Sequence, residues 1–261
     1  MTSKSSPIRL DIMDFKSATP KISPSLLKAQ AQGRLHKPGV IGHHTDDHLA
    51  PMPPARISAS QIQRSPFEGN LQFRQWFANS HVVDELGRPK VVQHATTHEF
   101  DRFDVSKIGG GYNRFGPGFY FTDGCFKTLQ CFAGEEGRMI NAYLSLQNPI
   151  TSGAMDVESI HRFFDALHDE VFENGFDARE THREVKLECL REPEYAFDKI
   201  CAAASNFITQ EDWFRSMKAA GFDGVMRPVH GVMEYVLLDP RQIKSTTNNG
   251  NFDPLNDRYD A

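Results

Sequence analysis

The chain reads as an α+β protein, and three features say so. Short apolar runs are bounded by glycine and proline, one long stretch of helical periodicity is set among them, and strand and helix do not alternate regularly. With 261 residues it can hold one domain of ordinary size plus an appended segment, since a single core is comfortable at roughly 150 to 200 residues. Residues 1–66 are rich in Ser, Pro, Lys, His and Gln, and their few apolar residues (Ile8, Leu10, Ile12, Leu26, Leu27) make only short periodic patches. Such a segment cannot bury enough apolar surface to offset chain entropy, so it is expected to be mostly disordered, with one short helix about 25–32. The folded domain is expected over 67–261.

Within that domain each element has its own signal. Phe73, Trp76 and Phe77 stand at i, i+3 and i+4, one face of a helix. A turn over 85–88 leads through Pro89 into an apolar strand, 90–94, ending on His94. Residues 109–118 are too glycine-rich for helix or strand and form a loop that feeds a short strand, 119–122. Alternation predicts a half-buried strand over 139–146, stopped by Pro149. A helical insert spans about 152–220: Ile160, Phe163, Phe164, Leu167 and Val171 share one face, and Thr209 with Asp212 forms a capping box for a helix holding Trp213, Phe214 and Met217 that Gly221 ends. The stretches GFDGVMRP, MEYVLLD and QIKSTT read as strands. There is no internal repeat.

Composition excludes several classes. The net charge of −5, with both signs scattered, offers no basic stripe for nucleic acid. Cys125, Cys131, Cys189 and Cys201 lack CxxC spacing and sit in or beside apolar runs, which points to reduced, buried thiols. His36, His43, His44 and His48 have no second cluster of matching ligands, so no metal site is expected. No run approaches the ~18 apolar residues of a membrane span, and the apolar core of a signal peptide is missing. The expectation is a protein that stays in a cytoplasm or leaves it without a cleaved signal peptide.

Three local patterns carry chemistry: a strand ending His94-Ala95-Thr96, a glycine loop feeding Gly118-Phe119-Tyr120-Phe121, and a strand with Glu234 between Met233 and Tyr235. Singly each is more simply packing or surface. Together, in this order, they resemble the ADP-ribosyltransferase superfamily in its histidine-tyrosine-glutamate branch, shared by diphtheria-toxin-like enzymes and poly(ADP-ribose) polymerases. The chain is most similar to a bacterial and phage group of such domains in polyvalent proteins and secreted effectors. The stretches FRQWFANSHVVDELGRPKVVQHATT, FDRFD, RFGPGFYFTD, AYLSLQNPI, AAGFDGVM, EYVLLDPRQIKS and NNGNFDPLND carry the likeness over most of 71–257. The group usually has glycine after the histidine, where this chain has Ala95.

The resemblance implies a split sheet of short strands with flanking helices, NAD+ as co-substrate, and transfer of ADP-ribose to a protein acceptor. It implies that Glu234 hydrogen-bonds the nicotinamide-ribose hydroxyl and stabilises an oxocarbenium-like state, a demand glycosidases also meet with carboxylates. His94 would hold the adenosine-side ribose, Ala95 would pair through its backbone with the nicotinamide amide, and Tyr120 would stack on the nicotinamide ring. Thr96 would add a hydroxyl. The loop with Arg114 and Gly118, running into Phe119, would lie over the diphosphate. Arginine-modifying relatives carry an acidic or amide residue two positions before the glutamate; here Val232 stands there, so arginine is not the expected acceptor. Hydroxyls, carboxylates, nucleic-acid groups and water stay open, a threonine of host ubiquitin among them. The layout, a polar segment before a toxin-like domain, is similar to effectors delivered by bacterial secretion machines. An NAD+ glycohydrolase and a non-catalytic NAD+-binding module are the alternatives.

Overall fold

In the computed structural model the described residues are 67, 69–108, 113–124, 137–168, 178–229 and 231–260. The chain divides into Met1–Ala55 and Arg56–Ala261, and every described residue belongs to the second unit. The expected N-terminal disorder and short helix, the first glycines of the loop, Cys125, Cys131 and Val171 lie outside the described residues.

The elements are α1 (Leu71–Phe77), β1 (Val92–Thr96), β2 (Phe119–Thr122), β3 (Arg138–Leu144), β4 (Pro149–Ile150), α2 (Val157–Asp165), α3 (Ala178–Arg191), α4 (Ala196–Phe207), α5 (Gln210–Ala219), β5 (Gly224–Val229), β6 (Val232–Leu237) and β7 (Ile243–Ser245). This is a mixed α+β arrangement in which the helices α2 to α5 all fall between β4 and β5. The seven strands make one sheet in the order β4-β5-β6-β2-β1-β3-β7. Among the described residues only β4 and β5 run parallel. The first strand lies two residues later than the apolar run suggests, because Lys90 and Val91 precede the ladder with β3 that starts at Val92. Residues 139–146 likewise give a strand at 138–144, and Pro149 opens β4 instead of only stopping β3.

The sheet cannot be flat. Five peptide steps from Leu144 to Pro149 reach at most roughly 18 Å, whereas the five inter-strand spacings between β3 and β4 total about 24 Å. The strands therefore curl, and Leu146 confirms it: a Cβ on Gly224 of β5 would lie 2.6 Å from the Leu146 Cδ1. Val92, Phe119, Phe121, Ile140, Ala142, Leu144, Tyr235 and Leu237 fill the inner face. The outer face, with Val225, Val229 and Val236, is covered by Phe163, Phe197, Ile200, Trp213 and Met217 from the helices.

Helix α1 is too short to persist alone. Phe73, Trp76 and Phe77 are all buried, packing with Tyr143 and Phe252, and each full burial is worth roughly 1.5–3 kcal/mol. Thr209 caps α5 by accepting from the Asp212 backbone N–H. The Asp212 carboxylate, expected to complete the capping box, instead pairs with Arg215. Helix α2 ends at Asp165, so Leu167 packs on the same core from beyond the helix.

Candidate functional site

The three residues singled out by the sequence fall on three adjacent strands, with His94 on β1, Tyr120 on β2 and Glu234 on β6. Register then decides which side chains share a face. Thr122 opposes Glu234 and Tyr120 opposes Val236, so Tyr120, Thr122 and Glu234 lie together on the outer face. Across β5 and β6, Arg227 opposes Glu234 and joins that face.

His94 takes the other face. Its strand pairs with β2 at one position only, Gln93 with Thr122, which sets His94 level with Phe121 on the inner side. Its ring centroid lies 5.1 Å from that of Phe103 and 5.3 Å from that of Phe121. Beyond the Gln93–Thr122 pair the two strands part, and the imidazole bridges them: Nδ1 is 2.8 Å from the Tyr120 carbonyl oxygen. A carbonyl only accepts, so Nδ1 carries the proton, and the neutral ring offers a lone pair at Nε2. Burial pushes the His94 pKa below its ordinary value, with the hydrogen bond to Tyr120 opposing more weakly. His94 is thus joined to the Tyr120 strand through backbone and does not share a face with Glu234.

Tyr120 is fixed at its hydroxyl as well as its ring. The oxygen accepts from the Phe115 backbone N–H at 2.9 Å and donates to the Gly116 carbonyl at 2.8 Å, while the ring packs against the helical core. The two described glycines of the loop have packing reasons. A Cβ on Gly116, whose φ is +81°, would sit 2.1 Å from the Trp213 indole, and one on Gly118 would sit 2.3 Å from a Val236 methyl. Phe119 is buried in the inner cluster. Ala95 and Thr96 continue β1 past His94, half-buried, opposite Met139 and Arg138. Arg114 is half-buried in the loop before Phe115.

Two charged residues not singled out by the sequence complete the outer face. Arg227 forms an ion pair with Asp198 of α4, and its Cζ lies 5.2 Å from the Phe115 ring centroid and 6.0 Å from that of Phe197. A signal for it was present: Val229 and Val232 oppose each other where β5 passes into β6, with Gly231 at φ +83° just before Val232, and so short a connection fixes the Arg227–Glu234 pairing. A polar groove of about 640 Å³ lies elsewhere, lined by Gln72, Gln75, Trp76, Arg241, Asn251 and Asp253 among others, and touches none of the residues above. Among the described residues no cluster of three His, Cys, Asp or Glu could hold a metal ion, and no helix is long and apolar enough to cross a membrane.

A search against protein-family models matches residues 84–252 to the family described as ADP-ribosyltransferase in polyvalent proteins. The chain matches no curated protein and no solved structure. The matched span holds β1 to β7 with the four helices between β4 and β5, and it includes His94, Tyr120, Arg227 and Glu234. The chain belongs to the family of ADP-ribosyltransferases found in polyvalent proteins.

Proposed function

We propose that this chain is a mono-ADP-ribosyltransferase that takes NAD+ as donor and modifies a protein acceptor at a group other than arginine. The observation that carries the reading is the adjacency of β1, β2 and β6, which brings His94, Tyr120 and Glu234 from distant parts of the sequence onto neighbouring strands within the family match. In the reaction the bond between the nicotinamide nitrogen and ribose C1′ breaks, and its electron pair leaves with neutral nicotinamide. The acceptor atom then bonds C1′ and gives up its proton.

Glu234 opposes the positive charge that develops on the ribose ring and accepts from the ribose 2′-hydroxyl. His94, neutral and with its Nε2 lone pair available, accepts from a hydroxyl of the adenosine-side ribose. The Ala95 backbone pairs with the nicotinamide amide, Thr96 contributes its hydroxyl, and the Tyr120 ring stacks on the nicotinamide. Arg114, in the loop with Gly118 and Phe119, faces the diphosphate. Val232 shares its face with Glu234 by alternation and has no group to orient a guanidinium. That argues against arginine and leaves hydroxyls, carboxylates, nucleic-acid groups and water, of which a threonine on ubiquitin is the first to test. The polar segment 1–66 serves delivery of the protein from a bacterial cytoplasm into a host cell.

The test is a labelled-NAD+ assay on a host-cell lysate, run beside a measurement of free nicotinamide. Label in protein together with nicotinamide release supports the transferase. Nicotinamide release without label indicates an NAD+ glycohydrolase, and neither indicates a binding module. Glu234→Ala should lower turnover on the order of 100-fold or more with an unchanged thermal transition; wild-type turnover in a folded variant removes the role given to Glu234. Intact-mass measurement of ubiquitin after incubation with enzyme and NAD+ should show one added ADP-ribose, and an unchanged mass removes ubiquitin.

A further inference from the structure

We propose that Arg227 is a positioning residue for Glu234: clamped by Asp198 and Phe115, its guanidinium holds the carboxylate as an anion on the face shared with Tyr120. The inference rests on the role proposed for Glu234 and adds what keeps that group in its working state.

Directly opposed residues of an antiparallel pair have Cβ atoms about 4.5–5.5 Å apart and interact across the strands. Arg227 and Glu234 are such a pair. The guanidinium stays protonated throughout the working pH range, so Glu234 always faces a positive charge on β5. Arg227 is also unusually well held. Nη1 donates to the Asp198 carboxylate, Phe115 and Phe197 lie under the guanidinium plane, and only 20 % of the side chain is exposed.

The seat for Asp198 is itself built. A Cβ on Gly153 would lie 2.3 Å from Asp198 Oδ2 and 3.1 Å from the Glu194 carbonyl, so glycine is needed for the carboxylate to reach Arg227. The Gly153 carbonyl accepts from the Phe197 N–H, fixing the start of α4 at the same point. Phe115, one of the two rings beneath the guanidinium, is the residue whose N–H is bound by the Tyr120 hydroxyl. One residue therefore stands opposite Glu234 on the neighbouring strand while its cation touches the loop anchored by Tyr120 and the helical layer.

The division of charge explains why two partners are present. An unrestrained arginine opposite Glu234 would form a close ion pair and compete with the ribose for the carboxylate oxygens. Tethering by Asp198 holds it back while its field still favours the ionised form, which is the form an oxocarbenium-like state needs. Among the described residues the other groups facing Glu234 from its own and the neighbouring strand differ in kind from Arg227. On β2 it faces Thr122 and, along the strand, Tyr120. Asp123, which accepts from the Met233 N–H, is itself paired with Lys90. Arg114 lies on the loop before Phe115.

The test follows the Glu234 carboxylate directly, using the full chain labelled with ¹³C at glutamate side-chain carboxyls and Glu234→Gln to assign its resonance. In Arg227→Gln the titration midpoint of Glu234 should rise by about one unit or more, and the acid limb of the kcat profile for nicotinamide release should move the same way. KM for NAD+ should stay within about twofold, because the loss is one of charge state and not of a substrate contact. Arg227→Lys should keep the midpoint near that of wild type. Asp198→Asn, which removes the opposing charge and leaves the arginine, should move it in the opposite direction, and it serves as the test if Arg227→Gln does not fold. A midpoint unmoved in Arg227→Gln, or moved upward in Asp198→Asn, overturns the proposal, as does a rise in KM with kcat and its pH profile unchanged. Failure of the parent reading looks different: Glu234→Gln would turn over like wild type while the midpoint shifts still appeared.

Discussion

The hydroxyl of Tyr120 binds a backbone N–H and a backbone carbonyl of the loop before it, so Tyr120→Phe separates two roles that one side chain combines. The ring remains, and the Phe115 N–H and Gly116 carbonyl lose their partner. Expected are a stability loss of about 1–2 kcal/mol and a several-fold rise in KM for NAD+ with a smaller change in kcat, read by denaturant melts and steady-state kinetics. Unchanged KM in a destabilised variant would mean the loop does not contact the donor. His94 makes a prediction in pH. Its folded-state pKa lies below the ordinary 6.5 because the ring is buried, so between those values the unfolded chain holds a proton that the folded chain does not. Stability is therefore unaffected above about pH 6.5 and falls as pH drops below it. Thermal unfolding at pH 7.5 and 5.5 should show a larger acid loss for wild type than for His94→Gln, and equal losses would contradict the buried neutral ring. Protonation of the folded ring also removes the Nε2 lone pair, so affinity for NAD+ should weaken at the lower end of that interval, as pH falls through the folded-state pKa.

At the scale of elements, helices and strands follow local pattern closely where one face is apolar, as α1, β2 and α5 do, because burial of Phe73, Phe121 or Trp213 enforces the period that the sequence displays. What local pattern does not carry is register between strands far apart in sequence. The apolar runs of β1 and β2 are plain, yet nothing in either says that Gln93 opposes Thr122 and so turns His94 away from Glu234. By contrast, the short turn between β5 and β6 fixes the pairing of Arg227 with Glu234 locally, and that part was legible though not read. The glycine loop was legible as a loop but not for its reason, since Gly116 is required by an indole nearly one hundred residues later in the chain. Gly116 and Gly231 therefore behave differently on substitution. Both have positive φ, but a Cβ on Gly231 meets nothing within 4 Å whereas one on Gly116 enters Trp213. Gly231→Ala should cost about 1–2 kcal/mol from backbone strain alone, and Gly116→Ala about 2–5 kcal/mol once overpacking is added. Equal costs in urea melts would show that the loop moves aside.

Across the whole molecule the C-terminal residues close the edge of the sheet and reach the aromatic rings that pack on His94. Lys244 on the edge strand β7 is fully buried, and its ammonium donates to the Asn256 carbonyl at 2.9 Å and the Arg258 carbonyl at 2.8 Å. Desolvation pushes its pKa down, opposed by Asp253, Asp257 and Asp260. The Ser245 N–H donates to the Tyr259 carbonyl at 2.7 Å, and the Tyr259 N–H to the Asp101 carbonyl. The Tyr259 hydroxyl donates to the Phe100 carbonyl at 2.8 Å, and the rings of Phe100 and Phe103 pack on His94. The tail thus ties β7 to the segment whose rings pack on the half-buried His94 imidazole, although the family match ends at residue 252. Lys244→Met keeps the apolar stem and removes both hydrogen bonds from a charged donor, a loss on the order of 3 kcal/mol. Local opening should then appear as faster amide exchange in residues 256–259 and 100–103, with the amides of α2 and α5 unchanged under the same conditions. With the segment loosened, His94 becomes more exposed, its pKa rises toward 6.5, and the acid loss of NAD+ affinity begins at higher pH than in wild type. Faster exchange confined to 256–259, with the His94 titration unmoved, would show that the tail covers the edge strand without supporting the site.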